Sequence, residues 1–181
     1  RQEQVPAMDV YVLPNNKNIV MAAEQAARLA RTSGVRRIHV VPTTTIPQGI
    51  SAMMAYDESA EIKDNVEAMQ EAASRVQSGS VTFAARDSDY DGHQIKEGEL
   101  LALENGKVAF TGTDLGSVTA KVAKDLMRED SQFITLLYGA DVSEEQAADV
   151  EEAVRSLLPE EVELTVAYGG QPVYYFLISV E

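Results

Sequence analysis

Two short polar segments contain most of the residues that could bind a ligand. The first is the NNKN sequence of residues 15–18, and the second is the TTT sequence of residues 43–45, with Gln48 close behind it. Each segment comes just before a helix-like pattern, so the amides of a helix N-terminus together with Lys17 could bind a phosphate or a carboxylate. Asparagine and threonine are also common capping and turn residues. Both interpretations are open at this point.

A third candidate is the YGGQP sequence of residues 168–172. Two adjacent glycines permit positive φ values and the close approach of another backbone, so the simpler interpretation is a hairpin or bulge between two strands. In the functional interpretation, the amides of Gly169 and Gly170, together with Gln171, line a contact surface.

The sequence predicts neither a catalytic residue nor a metal site. The DSDYDG sequence of residues 87–92 resembles the start of a calcium loop, but the twelfth place holds Gly98 instead of a glutamate. An acidic hairpin turn is therefore favoured. His39, in a buried-looking strand, and His93 do not form a cluster with further metal ligands. The chain also lacks cysteine, a Gly-x-Ser-x-Gly motif, a Walker lysine and a dinucleotide-binding glycine pattern.

Charge and hydropathy exclude several kinds of partner. The chain carries 29 acidic and 15 basic residues, a net charge of −14, and such a field repels nucleic acid. Much of the acid lies in residues 57–71 and 141–163, whose helical patterns indicate either solvated faces or a docking surface for a basic partner. The longest apolar stretch, near residues 173–180, is too short for membrane insertion. Without a signal peptide or cysteines, a cytoplasmic location is expected.

The first part of the sequence predicts a parallel βαβ unit. Residues 9–13 and 36–41 are typical of strands, and each run is closed by a proline. The segment between them has helical apolar spacing, with Asn16 or Asn18 as its N-cap and Gly34 at its end. A crossover of this length makes the strands parallel, so the NNKN and TTT segments lie side by side at one edge of the sheet. Open α/β sheets usually bind their ligands at this edge.

The second part of the sequence has a different character. A long amphipathic helix is predicted over residues 57–78, and the SGS sequence of residues 78–80 marks a boundary. Strand-like segments with a hairpin signal at Asn105-Gly106 then predict an antiparallel meander. A helix, a strand, a second helix that opens with a capping box at Ser143, and two last strands follow.

The predicted fold class is α/β, becoming α+β in the second half. It consists of a parallel βαβ unit, an antiparallel meander and a second β-α-β-β unit. Two domains are predicted: residues 1–78 form a parallel α/β subdomain that is truncated at its N-terminus if a neighbouring strand is missing, and residues 79–181 form a mixed α+β subdomain.

The chain closely resembles one family in five stretches of sequence: VYVLPNNKNIVMAAEQAA, VVPTTTIPQGISAMMAYD, DGHQIKEGE, LYGADVSEEQA and YGGQPVYYFLISVE. The family is the C-terminal region of DAK-type kinase subunits, best known from the kinase subunit of bacterial fatty acid kinase. The resemblance runs in order over essentially the whole chain. One departure is that the family has a GGQ segment and a helix before the first strand, where this chain has only RQEQVPA. The GGQ at residues 169–171 resembles a second copy of that element.

The resemblance implies that ATP and magnesium bind in a separate N-terminal domain related to dihydroxyacetone kinase. This fragment would then hold no cofactor and would not turn over ATP alone. The resemblance also implies a substrate, a fatty acid carried by a separate acyl-binding protein of DegV type. The C-terminal region, of the dihydroxyacetone-kinase and DegV-type fold, would dock that carrier and contact other domains of its own chain. Because the chain starts with Arg1, it is expected to be a piece of a longer protein.

The sequence therefore predicts a non-catalytic module that works by protein–protein recognition. The predicted contact residues are Asn15, Asn16, Lys17, Asn18, Thr43, Thr44, Thr45, Gln48, Gly169, Gly170 and Gln171. Two alternatives are open. One is a regulatory site in the same loops for a phosphate, a carboxylate or a dihydroxyacetone-like small molecule. The other is a homodimerisation module.

Overall fold

The computed structural model describes residues 7–34, 36–90 and 93–181. The chain divides after Val76 into two compact units, residues 1–76 and residues 77–181. None of the helices in the described ranges is long and apolar enough to cross a membrane.

The first unit is built around a pair of parallel strands. Its elements are β1 (Asp9–Val12), α1 (Lys17–Ser33), β2 (Arg37–Val40), α2 (Ile46–Met54) and α3 (Ile62–Arg75). Asp9 lies opposite Arg37, and Val12 lies opposite Val40. The predicted parallel βαβ unit is therefore confirmed.

Helix α1 begins and ends where the sequence indicates. Of the two N-cap candidates the structure selects Asn16, whose side chain accepts a hydrogen bond of 2.8 Å from the N–H of Asn18. Gly34 ends the helix in the left-handed conformation, at φ +67°, which glycine adopts without steric cost. The helix packs on β2 and buries the small side chains of Ala23 and Ala27.

Helix α3 is shorter than predicted at both ends. It starts at Ile62 and not at Asp57, because Asn65 ties the preceding segment into a turn. Asp57 N–H donates to Oδ1 of Asn65 at 2.8 Å, and Nδ2 of Asn65 donates to the carbonyl of Asp57 at 2.7 Å. The helix packs against α2, and together they cover a core that consists of Val41, Ala52, Met69 and Ala73, with Tyr11 and Leu13 packed against it.

The second unit contains a mixed six-stranded sheet. Its elements are β3 (Gln77–Phe83), β4 (Ser88–Tyr90), β5 (His93–Ile95), β6 (Leu100–Glu104), β7 (Lys107–Gly112), α4 (Leu115–Leu126), β8 (Phe133–Tyr138), α5 (Glu144–Arg155), β9 (Glu163–Tyr168) and β10 (Phe176–Val180). The strand order is β7-β6-β3-β10-β8-β9, and β4 pairs with β5 in a separate hairpin. The predicted hairpin at Asn105-Gly106 joins β6 to β7, with both residues at positive φ.

The last strand occupies the middle of this sheet. β8 and β9 are parallel and α5 lies between them in the chain, so the predicted β-α-β-β unit is confirmed. However, β10 pairs antiparallel with β3 on one side and with β8 on the other. The hairpin interpretation of the YGGQP sequence is therefore wrong, because β8 lies between β9 and β10.

The SGS sequence of residues 78–80 is not a loop but belongs to β3. A Cβ added to Gly79 would lie 2.5 Å from Val122 and 2.9 Å from Leu126, so the absence of a side chain lets α4 approach the sheet closely. Phe176 and Ile178 of the neighbouring β10 are fully buried in the same core.

Candidate functional site

The NNKN and TTT segments meet at the C-terminal ends of β1 and β2, as predicted from the strand order. The hydroxyl of Thr43 donates a hydrogen bond of 2.8 Å to Oδ1 of Asn15, and the N–H of Asn15 donates back to that hydroxyl at 3.2 Å. Thr43 is only 1% exposed. Residues 15–18 and 43–48, called the loop edge below, are thus joined from underneath.

A glycine completes this connection. Asn15 has a φ of +53°, a conformation that asparagine tolerates better than most residues. Its side chain lies against Gly49 of α2, where an added Cβ would be 2.0 Å from Oδ1 of Asn15. Asn15, Thr43 and Gly49 therefore form a lock that fixes both loops. Since Thr43 is buried, its part in recognition is to position the other residues.

Several other predicted contact residues cap the helices. Oγ1 of Thr45 accepts the N–H of Gln48 at 3.3 Å, at the start of α2. Oε1 of Gln48 accepts the N–H and the hydroxyl of Thr44, at 2.8 and 2.9 Å. Lys17 and Asn18 are exposed in the first turn of α1, and their side chains extend the polar surface of the loop edge.

An exposed apolar stripe continues from the loop edge along α2. Ile46, Ile50, Met53 and Met54, called the α2 apolar face below, are exposed by 43, 42, 64 and 83%. The small residues Gly49, Ser51 and Ala52 are buried instead. The sequence contains this stripe at helical spacing, but such spacing normally indicates a core face. The outward direction follows from the small residues, which bring α2 close to its neighbours.

The predicted residues of the YGGQP sequence lie in the second unit, and their polar groups are used within that unit. The amides of Gly169 and Gly170 both donate to the carbonyl of Tyr138, at 2.9 and 3.3 Å. Nε2 of Gln171 donates to the carbonyl of Leu137 at 2.8 Å. These groups therefore hold the segment against the end of β8.

A charged cluster lies at the other end of the β1–β2 pair. Nε of Arg37 donates to Asp9 at 2.7 Å, and Nε2 of His39 lies 3.0 Å from the same oxygen. The Arg37 guanidinium, helped by His39, lowers the pKa of Asp9 to about 2. His39 also packs on the ring of Tyr11, with 5.4 Å between centroids. Asp9 and Tyr11 thus hold His39 in place at the strand pair.

The calcium-loop interpretation finds no support in the residues that can be assessed. Asp91 and Gly92 lie outside the described residues, while Oδ1 of Asp87 accepts the N–H of Glu97 at 2.8 Å. Among the residues that the structure describes, no three His, Asp or Glu side chains are placed to share a metal ion.

A family model for the C-terminal region of FakA-like fatty acid kinases matches residues 1–181. The chain belongs to this family. An uncharacterized protein of Staphylococcus haemolyticus is 40% identical over 99% of the chain, and protein YloV of Bacillus subtilis is 37% identical over the same share. In both cases the chain covers only 32% of the relative. The resemblance drawn from the five sequence stretches is therefore confirmed, and the chain spans about one third of the length of these relatives.

Solved structures share the fold at low sequence identity. The dihydroxyacetone kinase of C. freundii, in complex with AMP-PNP and Mg²⁺, has a TM-score of 0.69 at 14% identity, covering 94% of this chain and 38% of that one. The fatty acid kinase B3 protein of Streptococcus pneumoniae, loaded with linoleic acid, has a TM-score of 0.65 at 11% identity, covering 99% and 74%. A DegV family protein of Corynebacterium glutamicum has a TM-score of 0.63 at 16% identity, covering 98% and 76%. The predicted fold class is thus confirmed, and its relation to these proteins is a relation of fold.

Proposed function

We propose that this chain is a docking module that binds an acyl-carrying protein of DegV type, whose fatty acid is phosphorylated by a separate ATP-binding domain. Membership in the FakA-like fatty acid kinase family supports this proposal. The fatty acid kinase B3 protein of Streptococcus pneumoniae binds linoleic acid, and a protein of that kind is the proposed partner.

The observation that carries the proposal is the continuity of the loop edge with the α2 apolar face. Protein interfaces combine an apolar centre with a polar rim of hydrogen-bonding groups. Here Ile50, Met53 and Met54 supply exposed apolar area, and methionine side chains adapt to the shape of a partner. Lys17 and Thr44 supply donors beside it.

Charge supports the same kind of partner. Asp57, Glu58 and Glu61 are exposed directly after α2. Together with the net charge of −14, they would steer a carrier that presents a basic surface and would raise its association rate.

The proposal places the chemistry outside this chain. Among the described residues, His39 is the histidine whose side chain can be assessed, and it is held by Asp9 at the end of the strands opposite to the loop edge. The loop edge itself holds amides, hydroxyls and one lysine. Such groups bind and orient, but they include neither a general base nor a set of metal ligands.

Calorimetric titration of the full-length protein with an acyl-loaded DegV-type carrier tests the proposal. Met54→Glu and Ile50→Glu should each weaken binding by about tenfold or more, because they place a charge in the apolar centre. Leu29→Glu is the matched control, since Leu29 is 72% exposed on α1 and lies about 18 Å from Lys17 along the helix. Absence of binding by the wild-type protein would overturn the proposal.

Lys17→Ala separates a carrier from a small anion as the occupant of the loop edge. If the carrier is the partner, this change weakens its binding, and the protein shows no saturable heat with inorganic phosphate or acetate. Saturable anion binding that Lys17→Ala abolishes, with carrier binding unchanged, would favour the small-molecule alternative.

A further inference from the structure

A strained turn lies in the loop between β9 and β10. The N–H of Tyr174 donates to the carbonyl of Pro172 at 2.8 Å, which closes a three-residue γ-turn around Val173. Val173 has a φ of +73°. This is the rare and strained form of the γ-turn, and positive φ is particularly unfavourable for a β-branched residue.

Contacts with two other strand ends hold the strained turn in place. The hydroxyl of Thr82 donates to the carbonyl of Val173 at 2.7 Å. A Cβ on Gly139 would lie 2.2 Å from the carbonyl oxygen of Tyr174, so the two backbones are in close contact. The N–H of Ala140 donates to the carbonyl of Gln171 at 3.0 Å. The fold therefore fixes the backbone of Val173 in an unfavourable conformation.

The side chain of Val173 does not compensate for this strain by packing, because it is 55% exposed. Strain that packing does not offset is typical of functional positions. Beside it, Tyr168, Tyr174 and Phe83 are exposed by 64, 39 and 37%. These four residues, called the tyrosine surface below, surround the C-terminal ends of β9 and β3 and the start of β10.

The charges that follow the neighbouring strands are mainly acidic. Asp141 follows β8, and Glu144 and Glu145 occupy the first turn of α5; all three are exposed. After β3, Arg86 and Asp87 contribute opposite charges, so that end is neutral in sum. The tyrosine surface therefore has an acidic rim on the side of β8.

We propose that the tyrosine surface is a second docking site of this chain, and that it binds a protein face whose apolar centre is flanked by arginine or lysine. Tyrosine rings attract cations on their faces and are frequent anchors of protein interfaces. The three carboxylates complement the basic flanks of such a partner. The acyl-carrying protein is the partner we assign to it, and in this respect the inference rests on the proposed function.

The test titrates acyl-loaded DegV-type carrier into full-length protein that carries Tyr168→Ala, Tyr174→Ala or Val173→Gly. Each change should weaken binding by about tenfold. Phe133→Ala is the matched control, since Phe133 is an aromatic residue that is 52% exposed at the opposite end of β8. It should leave the affinity unchanged. Asp141→Asn with Glu144→Gln should reduce the dependence of the affinity on salt concentration, because fewer charge pairs would be screened.

The outcomes separate this inference from the proposed function. If the carrier binds, and if the Met54→Glu variant weakens binding while the three variants of the tyrosine surface match wild type, the tyrosine surface is not a docking site and the proposed function stands. If the carrier does not bind the wild-type protein at all, both are overturned. Val173→Gly keeps the loop folded by allowing positive φ, so a loss of binding in that variant cannot be attributed to unfolding.

Discussion

The hydroxyl of Thr43 and the side chain of Asn15 are joined by a 2.8 Å hydrogen bond across the ends of two parallel strands. The two residues are 28 positions apart in sequence. Their contact fixes both polar loops at once, so the positions of Lys17 and Gln48 depend on a buried bond that neither residue makes. Recognition at the loop edge is therefore coupled to the stability of the first unit.

Replacing Thr43 with valine tests this coupling. The change keeps the shape of the side chain but leaves the N–H and Oδ1 of Asn15 without their partner, which should lower the free energy of unfolding by about 1–3 kcal/mol. Urea denaturation measures the loss. Thr44→Val is the control, and because Thr44 is exposed it should stay within about 0.5 kcal/mol of wild type. Equal effects of the two changes would contradict the lock.

Gly49→Ala should push Asn15 out of its place, because the new Cβ would fall 2.0 Å from Oδ1 of Asn15. We expect a loss of about 1–3 kcal/mol from overpacking, although alanine is the better helix former. In an Asn15→Gly background the cost of the same change should be smaller by about 1 kcal/mol or more. A double-mutant cycle in urea measures this difference, and strictly additive costs would show that the two residues do not interact.

Parts of this fold were predictable because the signals are local. Asn16, Gly34 and Ser143 mark helix ends by capping chemistry, and the two strand–proline–polar segments indicate parallel strands with adjacent loops. The position of β10 was not predictable, since periodicity carries no information on which strands pair. Gly79 has the sequence context of a boundary because the helix that packs on it lies more than 40 residues later in sequence. The outward face of α2 required the same kind of three-dimensional information.

Val173→Gly should stabilise the protein relative to Val173→Ala. Both changes remove the methyl groups, but only glycine adopts a φ of +73° without steric cost, and the difference should be about 1 kcal/mol in favour of glycine. Thermal and urea denaturation of the two variants measure it. If alanine proved the more stable of the two, by the usual entropic advantage over glycine, the turn would not be strained.

Acid should weaken the first unit through Asp9. The pKa of Asp9 is lowered from 3.8 to about 2 by Arg37 and then His39. A carboxyl group whose pKa is lower in the folded than in the unfolded chain stabilises the fold above pH 3.8, and this contribution is lost as the pH falls towards 2. The free energy of unfolding should therefore fall less steeply between these pH values in Asp9→Asn than in wild type. Asp149→Asn, on exposed α5, should follow the wild-type curve.

The central place of β10 has a consequence during synthesis. The ribosome adds residues 176–180 after all other strands of the second unit, yet these residues join β3 to β8. While they are still inside the exit tunnel, the nascent chain holds two separate halves, β7-β6-β3 and β8-β9, each with an open edge. Loss of a few C-terminal residues, by a premature stop codon or by proteolysis, would therefore leave the whole unit in pieces and expose those edges to aggregation.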